Sequence, residues 1–577
     1  MAKESEFPKI PYGKSNFEVI RNENYLYVDK TRFITTLEKI DTTIHLRPRR
    51  FGKSLFVSMI ESYYDIDRTE QFDSLFNGLY IHENPTPNKN NYYILRFNFS
   101  GIETSDAIAV LDGFLRKVKD GAQKFLNRYN FDIDLDFKTP ASILLSLLRG
   151  VEGLNLQHKV YILVDEYDHF TNAVLTNVGL KGFMDLVNRG GIVRSFYEII
   201  KESTESGIVG KFFATGVMSI SLDCMTSGFN IATNITTDER FSTMMGFTSD
   251  EVKYILSTSM ENTYEDKVEL NVTEQTEVYD IFKQNYNGYL FSERSDTKVF
   301  NSTMIMYYMK HYVEKKMHPK SLIDPNLHQK GANIRNLVNL KNSVDNYEVV
   351  EEIVKNGHTS GALSDFIDVD ERYNKNDFVT VMFNMGLLTI KEVRMKTIFE
   401  IPNKIIEFVF LDYLRGMLEK KQGYNIDVRD QEKALFELGE DGKIDEITRQ
   451  VSDFLQHLSI RDHTGFDEKY IKLIYKTMLS MNEQYFIYDE FQALQGFTDL
   501  ILLKTPMSYA QYEYVIELKH LKKSEATASK IEKEFNNGIN QIHAYMKDKR
   551  LQERPDLKQF VVIFVGFEVV RLEEVSV

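Results

Sequence analysis

Leu46-Arg47-Pro48-Arg49-Arg50-Phe51-Gly52-Lys53-Ser54-Leu55 is the stretch on which the fold turns. It follows Thr43-Ile44-His45-Leu46, which reads as a strand end, and opens into Leu55 to Tyr64, whose apolar spacing and lack of Gly or Pro read as a helix. Strand, loop, Gly-Lys-Ser, helix is the layout of a phosphate-binding loop. In that layout backbone amides and a helix N-terminus hold the phosphates, the Lys reaches the terminal ones and the Ser hydroxyl ligates Mg²⁺. The general pattern G-x-x-x-x-G-K-[ST] has Gly where this chain has Arg47. Arg47, Arg49, Arg50 and Lys53 crowd positive charge with no acid among them, which is costly unless an anion sits nearby. The plainer alternative is a solvated basic turn.

A second stretch favours the anion. Lys159-Val160-Tyr161-Ile162-Leu163-Val164-Asp165-Glu166 reads as a short buried parallel strand ending in two acids, where open α/β sheets place their ligands. Asp165 is then expected in the Mg²⁺ shell, with Glu166 polarising an attacking water. A third strand, Lys211 to Val217, carries Thr215 near its end, placed for the γ-phosphate or equally for a strand cap. The candidate nucleotide cradle is thus Arg47, Pro48, Arg49, Arg50, Phe51, Gly52, Lys53, Ser54 and Leu55 with Asp165 and Thr215. Ser54 and Asp165 are the expected metal ligands, and ATP with Mg²⁺ the expected cofactors.

Asn24-Tyr25-Leu26-Tyr27-Val28-Asp29-Lys30-Thr31, Arg47 to Ser54, and Val164-Asp165-Glu166-Tyr167-Asp168 resemble the AAA-ATPase-like family of bacterial proteins. Gly246-Phe247-Thr248 with Asp250-Glu251-Val252, and Tyr286-Asn287-Gly288-Tyr289, extend the likeness from about Asn24 to Tyr289. In that family Arg-Pro-Arg-Arg-Phe-Gly-Lys-Ser/Thr is the usual loop, so Arg47 fits it. The resemblance also implies a PD-(D/E)XK nuclease-like domain at the C-terminus.

Composition bounds the rest. The 577 residues suffice for about three or four domains, and 42% hydrophobic with 27% charged residues is ordinary globular composition. A net charge of −15 argues against a generally nucleic-acid-coating surface, so any DNA or RNA contact must use a local basic groove. The single cysteine, Cys224, excludes an intrachain disulfide framework and a cysteine zinc cluster. The charged N-terminal stretch is unlike a signal region, and no run approaches the ~18 apolar residues of a membrane helix. The expectation is a cytoplasmic protein without a membrane partner.

Residues 1–220 read as alternating strands and helices, the pattern of a P-loop NTPase with a mostly parallel sheet. A helical lid is expected over 221–325, with Thr248 or Ser249 capping a helix. Arg194 and Arg240 read as phosphate sensors or, better, surface arginines. Over 326–415, a helix ending at Gly386 followed by two short strands resembles a winged helix, and its apolar candidate helix favours packing against protein.

The segment 416–577 carries a second chemistry. Phe497 to Leu503 and Tyr512 to Lys519 read as paired strands. Glu517 and Lys519 are two apart and share a face, where Asp499 can meet them. Two carboxylates at a strand end make a hard oxygen site for Mg²⁺ or Mn²⁺, and the Lys can activate water or stabilise the developing charge. A cross-strand salt bridge explains the same residues without catalysis. The Asp…Glu-x-Lys set resembles the PD-(D/E)XK nuclease core, with Glu468 on the preceding helix as an added carboxylate and Gln541, with Tyr545, resembling the downstream Gln motif of one branch. Related sequences place Gly-Arg-x-Asp at the first acid, where this chain has Gly496-Phe497-Thr498-Asp499.

The expected fold is α/β throughout, an NTPase core joined to a restriction-endonuclease-like domain. The expected activity is ATP-regulated, metal-dependent cleavage of nucleic acid, DNA first, in processing or defence. The runner-up is a nucleotide-dependent signalling or scaffold protein with a non-cleaving nuclease-like domain. The sequence is compatible with a homo-oligomer.

Overall fold

A computed structural model describes residues 8–103, 105–169, 191–218, 231–260, 272–315, 317–324, 334, 338, 343–364, 367, 373–422, 428–457, 468–479 and 484–575. Cys224 and residues 465–467 lie outside them. The chain divides into two compact units: Met1–Met317 with Asn336–Val349 and His358–Lys404, and His318–Arg335 with Val350–Gly357 and Ile405–Val577. The finer division at 220, 325 and 415 stays a proposal.

The first unit is built on strands β1 (Thr42–Leu46), β2 (Tyr92–Asn98), β3 (Lys159–Asp165), β4 (Val209–Gly216) and β5 (Thr233–Asn234). They form one parallel sheet in the order β2-β3-β4-β1-β5. β1 and nearly all of β3 are buried, which is why they read as continuous apolar runs without alternation. Helices α1 (Lys53–Tyr64), α2 (Ala107–Tyr129), α3 (Pro140–Gly153) and α4 (Ile192–Glu205) supply the crossovers. Two carry clear start signals: Asp106 accepts from Ala109 N, and Thr139 forms a capping box with Ser142 ahead of Pro140. In sequence, β2 lies between the phosphate loop and the acidic strand. In space it is the edge strand, and β4, which carries Thr215, lies between β1 and β3.

The same unit contains a small antiparallel sheet of β6 (His358–Gly361), β7 (Thr389–Val393) and β8 (Thr397–Glu400), in the order β6-β8-β7, beside helix α5 (Lys375–Asn384). Gly386 at φ 72° closes α5 as expected of a left-handed helix stop.

The second unit holds helix α6 (Glu468–Leu479), strands β9 (Tyr485–Gln492), β10 (Phe497–Lys504) and β11 (Glu513–Leu521), helix α7 (Ala528–Tyr545), and strands β12 (Leu557–Val565) and β13 (Glu568–Glu574). The sheet order is β13-β12-β11-β10-β9, with β11 and β12 parallel and the other pairs antiparallel. Its core packs Leu500, Leu502, Tyr514, Ile516, Leu518, Val562 and Phe564 against Ile471, Tyr475 and Met478 of α6. With Val561 to Val565 read as the closing strand after α7, the sequence reading has one strand too few at each side. β9 and β13 are flanking strands of mixed polarity, and they lack the apolar run that marks the three central ones.

Candidate functional site

The chain leaves β1 into a loop with two left-handed positions, Arg50 at φ 74° and Gly52 at φ 91°, before entering α1. Such turns aim successive backbone amides at one point, ahead of the partial positive charge of the helix start. Three segments pin the loop. Gly246 N donates to Phe51 O at 3.0 Å, Thr303 N and Ser302 Oγ donate to Arg50 O at 3.2 Å each, and Phe51 packs edge-on against Tyr289 and Phe291. The Gly246 and Tyr286–Tyr289 motifs are therefore the clasp of the loop.

Lys53 lines a cleft of about 410 Å³ together with Arg49, Arg50, Phe51, Gly52, Ser54, Leu55 and Glu166. Its Nζ donates to Arg47 O and Pro48 O at 2.9 Å each, and burial pushes its pKa down to about 8, with Asp168, Glu166 and Asp165 pulling the other way. Pro11, Leu26, Tyr27, Val28, Met244, Met245 and Met306 give the same cleft apolar walls suited to a base. Asp165 is fully buried at the end of β3, and neither carboxylate oxygen has a hydrogen-bond donor in sound geometry. Its pKa is raised by burial, against the pull of Arg96, whose Nη2 lies 3.5 Å away, and of the Ser54 hydroxyl. Thr215 Oγ1 is likewise buried without a partner. Glu166 sits at φ 54° and pairs with His169 Nδ1 at 3.2 Å, which holds its pKa below the ordinary carboxylate value.

Two members of the cradle face elsewhere. The Arg47 guanidinium is buried, donating to the carbonyls of Leu46, Thr236 and Phe241 and stacking 4.2 Å from the Phe291 ring. Burial alone depresses its pKa to about 9. Its charge therefore serves the loop's underside, a correction to the view of Arg47 as a phosphate ligand. Pro48 packs against Gly386. Arg194 pairs with Glu198, and Arg240 with Asp238, so both are engaged at ion pairs. Asp168, quoted in the sequence motif without a role, accepts from Val217 N and Met218 N and fixes the turn after β4. A larger hollow of about 890 Å³ beside Arg240, Arg294 and the β7–β8 hairpin contains neither Lys53 nor Glu166 and has walls of mixed charge.

In the second unit the β10–β11 ladder ends at Leu500 and Ile516, and there Asp499 Oδ2 accepts from Leu518 N at 2.8 Å. Glu517 and Lys519 share a face of β11, with Lys519 Nζ 2.6 Å from Glu517 Oε1, while Glu517 Oε2 is buried without a partner. Lys472, on α6, forms an ion pair with Asp499 Oδ1 and lies 3.9 Å from Glu468 Oε1. Burial and the shared negative charge of Asp499 push both Glu468 and Glu517 up to about 7. Burial opposes the Lys519 charge, yet Glu517, Asp499 and Glu468 hold its pKa above the ordinary value. Tyr545, at the end of α7, is buried beside Glu517, and Gln541 one turn earlier is exposed. Among the described residues no three carboxylates or imidazoles stand together in metal-ligating geometry.

Residues 11–226 match the family described as Predicted AAA-ATPase, and residues 466–574 match the PD-(D/E)XK nuclease superfamily. The chain joins an AAA-ATPase-like domain to a PD-(D/E)XK nuclease-superfamily domain. The AAA-ATPase-like match spans the phosphate loop, Asp165, Glu166 and Thr215, and the nuclease-superfamily match spans Glu468, Asp499, Glu517, Lys519 and Gln541. A protein of Azotobacter chroococcum mcd 1, described as "Uncharacterized protein in vnfD 5'region", is 28% identical over 262 residues, 45% of this chain and 47% of that protein. The chain thus aligns with about half the length of this relative. Sequence reasoning missed Lys472 and Arg96, because a helical lysine four residues after Glu468 and an arginine within a strand look like ordinary surface charges.

Proposed function

We propose that the AAA-ATPase-like domain binds and hydrolyses ATP, and that the nuclease-superfamily domain cleaves phosphodiester bonds of nucleic acid, DNA first, with a divalent cation. The observation that carries the reading is a pair of buried carboxylate groups short of hydrogen-bond donors: Asp165 behind the Lys53 cleft, with Arg96 Nη2 no closer than 3.5 Å, and Glu517 Oε2 beside Lys519. Burying such oxygens without a donor costs ~1–3 kcal/mol each unless a ligand repays it. This supports a cation at each centre.

At the first centre Ser54 and Asp165 would hold Mg²⁺, and Lys53 with the loop amides would bind the phosphates. The nucleotide's Mg²⁺ supplies charge neutralisation of the leaving phosphates when bound. Glu166, at the cleft wall, orients water and takes its proton. The same arrangement makes Lys53→Ala lose ATP binding, whereas Glu166→Gln keeps binding and loses turnover, read by nucleotide-binding fluorescence and phosphate release.

At the second centre Asp499 and Glu517 would hold Mg²⁺ or Mn²⁺, which activates water and screens phosphate charge when bound. Lys519 orients the nucleophile and stabilises the added negative charge, Glu468 adds a proton acceptor near neutral pH, and Gln541, exposed on α7, is left to contact the substrate. Purified protein with Mn²⁺ is expected to nick plasmid DNA, and Lys519→Ala to abolish nicking while ATP binding is kept. A cytoplasmic role in DNA processing or in defence against mobile DNA follows from joining the two activities.

One observation favours the second reading, a nucleotide-dependent scaffold that binds without cutting. Two lysines already neutralise the carboxylates, leaving no preformed cage among the described residues. Absence of cleavage on single-stranded, duplex and RNA substrates under every nucleotide would select it.

A further inference from the structure

Lys472 has no part in the sequence motif, yet its ammonium forms an ion pair with a carboxylate of the nuclease centre. It is mostly buried, at 14% side-chain exposure, and its charge-assisted contact is with Asp499 Oδ1. The other oxygen, Oδ2, is taken by Leu518 N. Each oxygen of Asp499 thus already carries one donor of the protein itself. The second lysine, Lys519, holds only Oε1 of Glu517 and leaves Oε2 without a partner. The two acids are therefore unequal: Glu517 keeps Oε2 outside any ion pair, whereas the Asp499 oxygen that faces the centre carries the Lys472 ammonium.

The geometry also supplies somewhere for the ammonium to go. Glu468 stands one turn earlier on the same helix, with Oε1 3.9 Å from Lys472 Nζ. We infer that Lys472 is a positioning residue that competes with the divalent cation for Asp499 Oδ1 and moves to Glu468 when the cation binds, so that the centre is gated by a lysine of the protein. The inference rests on the metal-dependent reading of this centre given above. The exchange is conservative in charge. Glu468, Asp499 and Glu517 with Lys472 and Lys519 carry a formal excess of a single negative charge, and an arriving divalent cation reverses its sign. An ammonium that stayed on Asp499 would repel that cation at contact distance, whereas one paired with Glu468 does not. A cation bound in this way also leaves the cluster net positive, suited to a phosphodiester.

The test uses the full chain and Mn²⁺ alone, followed by titration calorimetry at one fixed pH. The heat lost in Asp499→Asn defines binding at this centre. Lys472→Met is expected to tighten that binding roughly tenfold, the worth of one charge-assisted contact released from Asp499. Lys472→Arg, which keeps the competing charge, is expected to stay within about threefold of the parent. Lys469 lies exposed on the same helix, so Lys469→Met removes the same net charge without touching the cluster and is expected to change affinity by less than about twofold. Should the methionine variant not fold, Lys472→Gln carries the same expectation. Equal effects of Lys472→Met and Lys469→Met, or a weakened site in Lys472→Met, overturn the gate and leave the metal-dependent reading standing. An Mn²⁺ isotherm that Asp499→Asn does not alter overturns that reading and the gate together.

Discussion

A carboxyl group that must ionise inside an apolar wall is a liability to the fold that carries it, and Glu517 is such a group. Burial and Asp499 raise its pKa to about 7, from an ordinary value near 4.5. A raised folded-state pKa contributes stability in full below about pH 4.5, and that contribution is lost as the pH rises through 7. Gln at this position imitates the protonated acid. Glu517→Gln should therefore match the parent near pH 4.5 and exceed it by about 1–3 kcal/mol at pH 8, measured by urea unfolding in the presence of a chelator. A difference that stays constant across this range would mean that the site is better solvated than its geometry implies. The same residue explains what sequence conveys at this scale. Glu-x-Lys on a strand announces that two side chains share a face, but the unequal satisfaction of Asp499 and Glu517 comes from Leu518 N and Lys472, brought in by tertiary structure.

At the scale of elements, the phosphate loop depends on segments far along the chain. Gly288 lies in the loop between Tyr286 and Tyr289, at φ +100°, and a Cβ there would stand 1.9 Å from Pro402 O. Neither the dihedral nor the space admits a side chain, so Gly288→Ala should cost about 2–3 kcal/mol and loosen the Tyr289 wall of Phe51, weakening ATP binding as well. Gly78 shares a positive φ but has nothing within 4 Å of its virtual Cβ, and Gly78→Ala should cost only about 1 kcal/mol with ATP affinity unchanged. Thermal unfolding and nucleotide titration of the two variants check both statements, and equal shifts would refute the packing argument. The strand-loop-helix unit and the acidic strand were legible because each is written in contiguous residues with a periodicity of its own. The clasp was visible only as family motifs around Gly246 and Gly288, since their contacts with Phe51 bridge some 200 residues of sequence. Arg47 was misjudged for a related reason. Its charge suggested a phosphate, whereas the folded chain offers it three carbonyls and an aromatic face.

Across the whole molecule the balance of charge sets how the nuclease-superfamily domain can meet its substrate. The chain carries a net charge of −15, and in this domain many of the cations are already engaged: Arg554 with Glu513, Arg550 with Asp548, Arg571 with Glu532 and Glu573, Lys558 with Glu574, and Lys530 with Glu525. A protein that coats DNA uses many free lysines and arginines and releases a counterion for each phosphate it neutralises. Here the cations aimed at the centre are Lys472 and Lys519, each in an ion pair, to Asp499 and to Glu517, that faces the centre, where a phosphate can compete for it. Binding should therefore neutralise few phosphates, and the slope of log affinity against log salt on duplex DNA should lie near −2 to −3, at ~0.9 per phosphate. Fluorescence anisotropy with a labelled duplex over a series of potassium chloride concentrations, in chelator to prevent cleavage, measures it directly. Lys519→Ala should reduce the slope by about one, because it removes one phosphate contact. A slope steeper than about −6 would mean that cations outside the centre, such as the exposed Lys522, Lys533 and Lys549, hold the substrate as well.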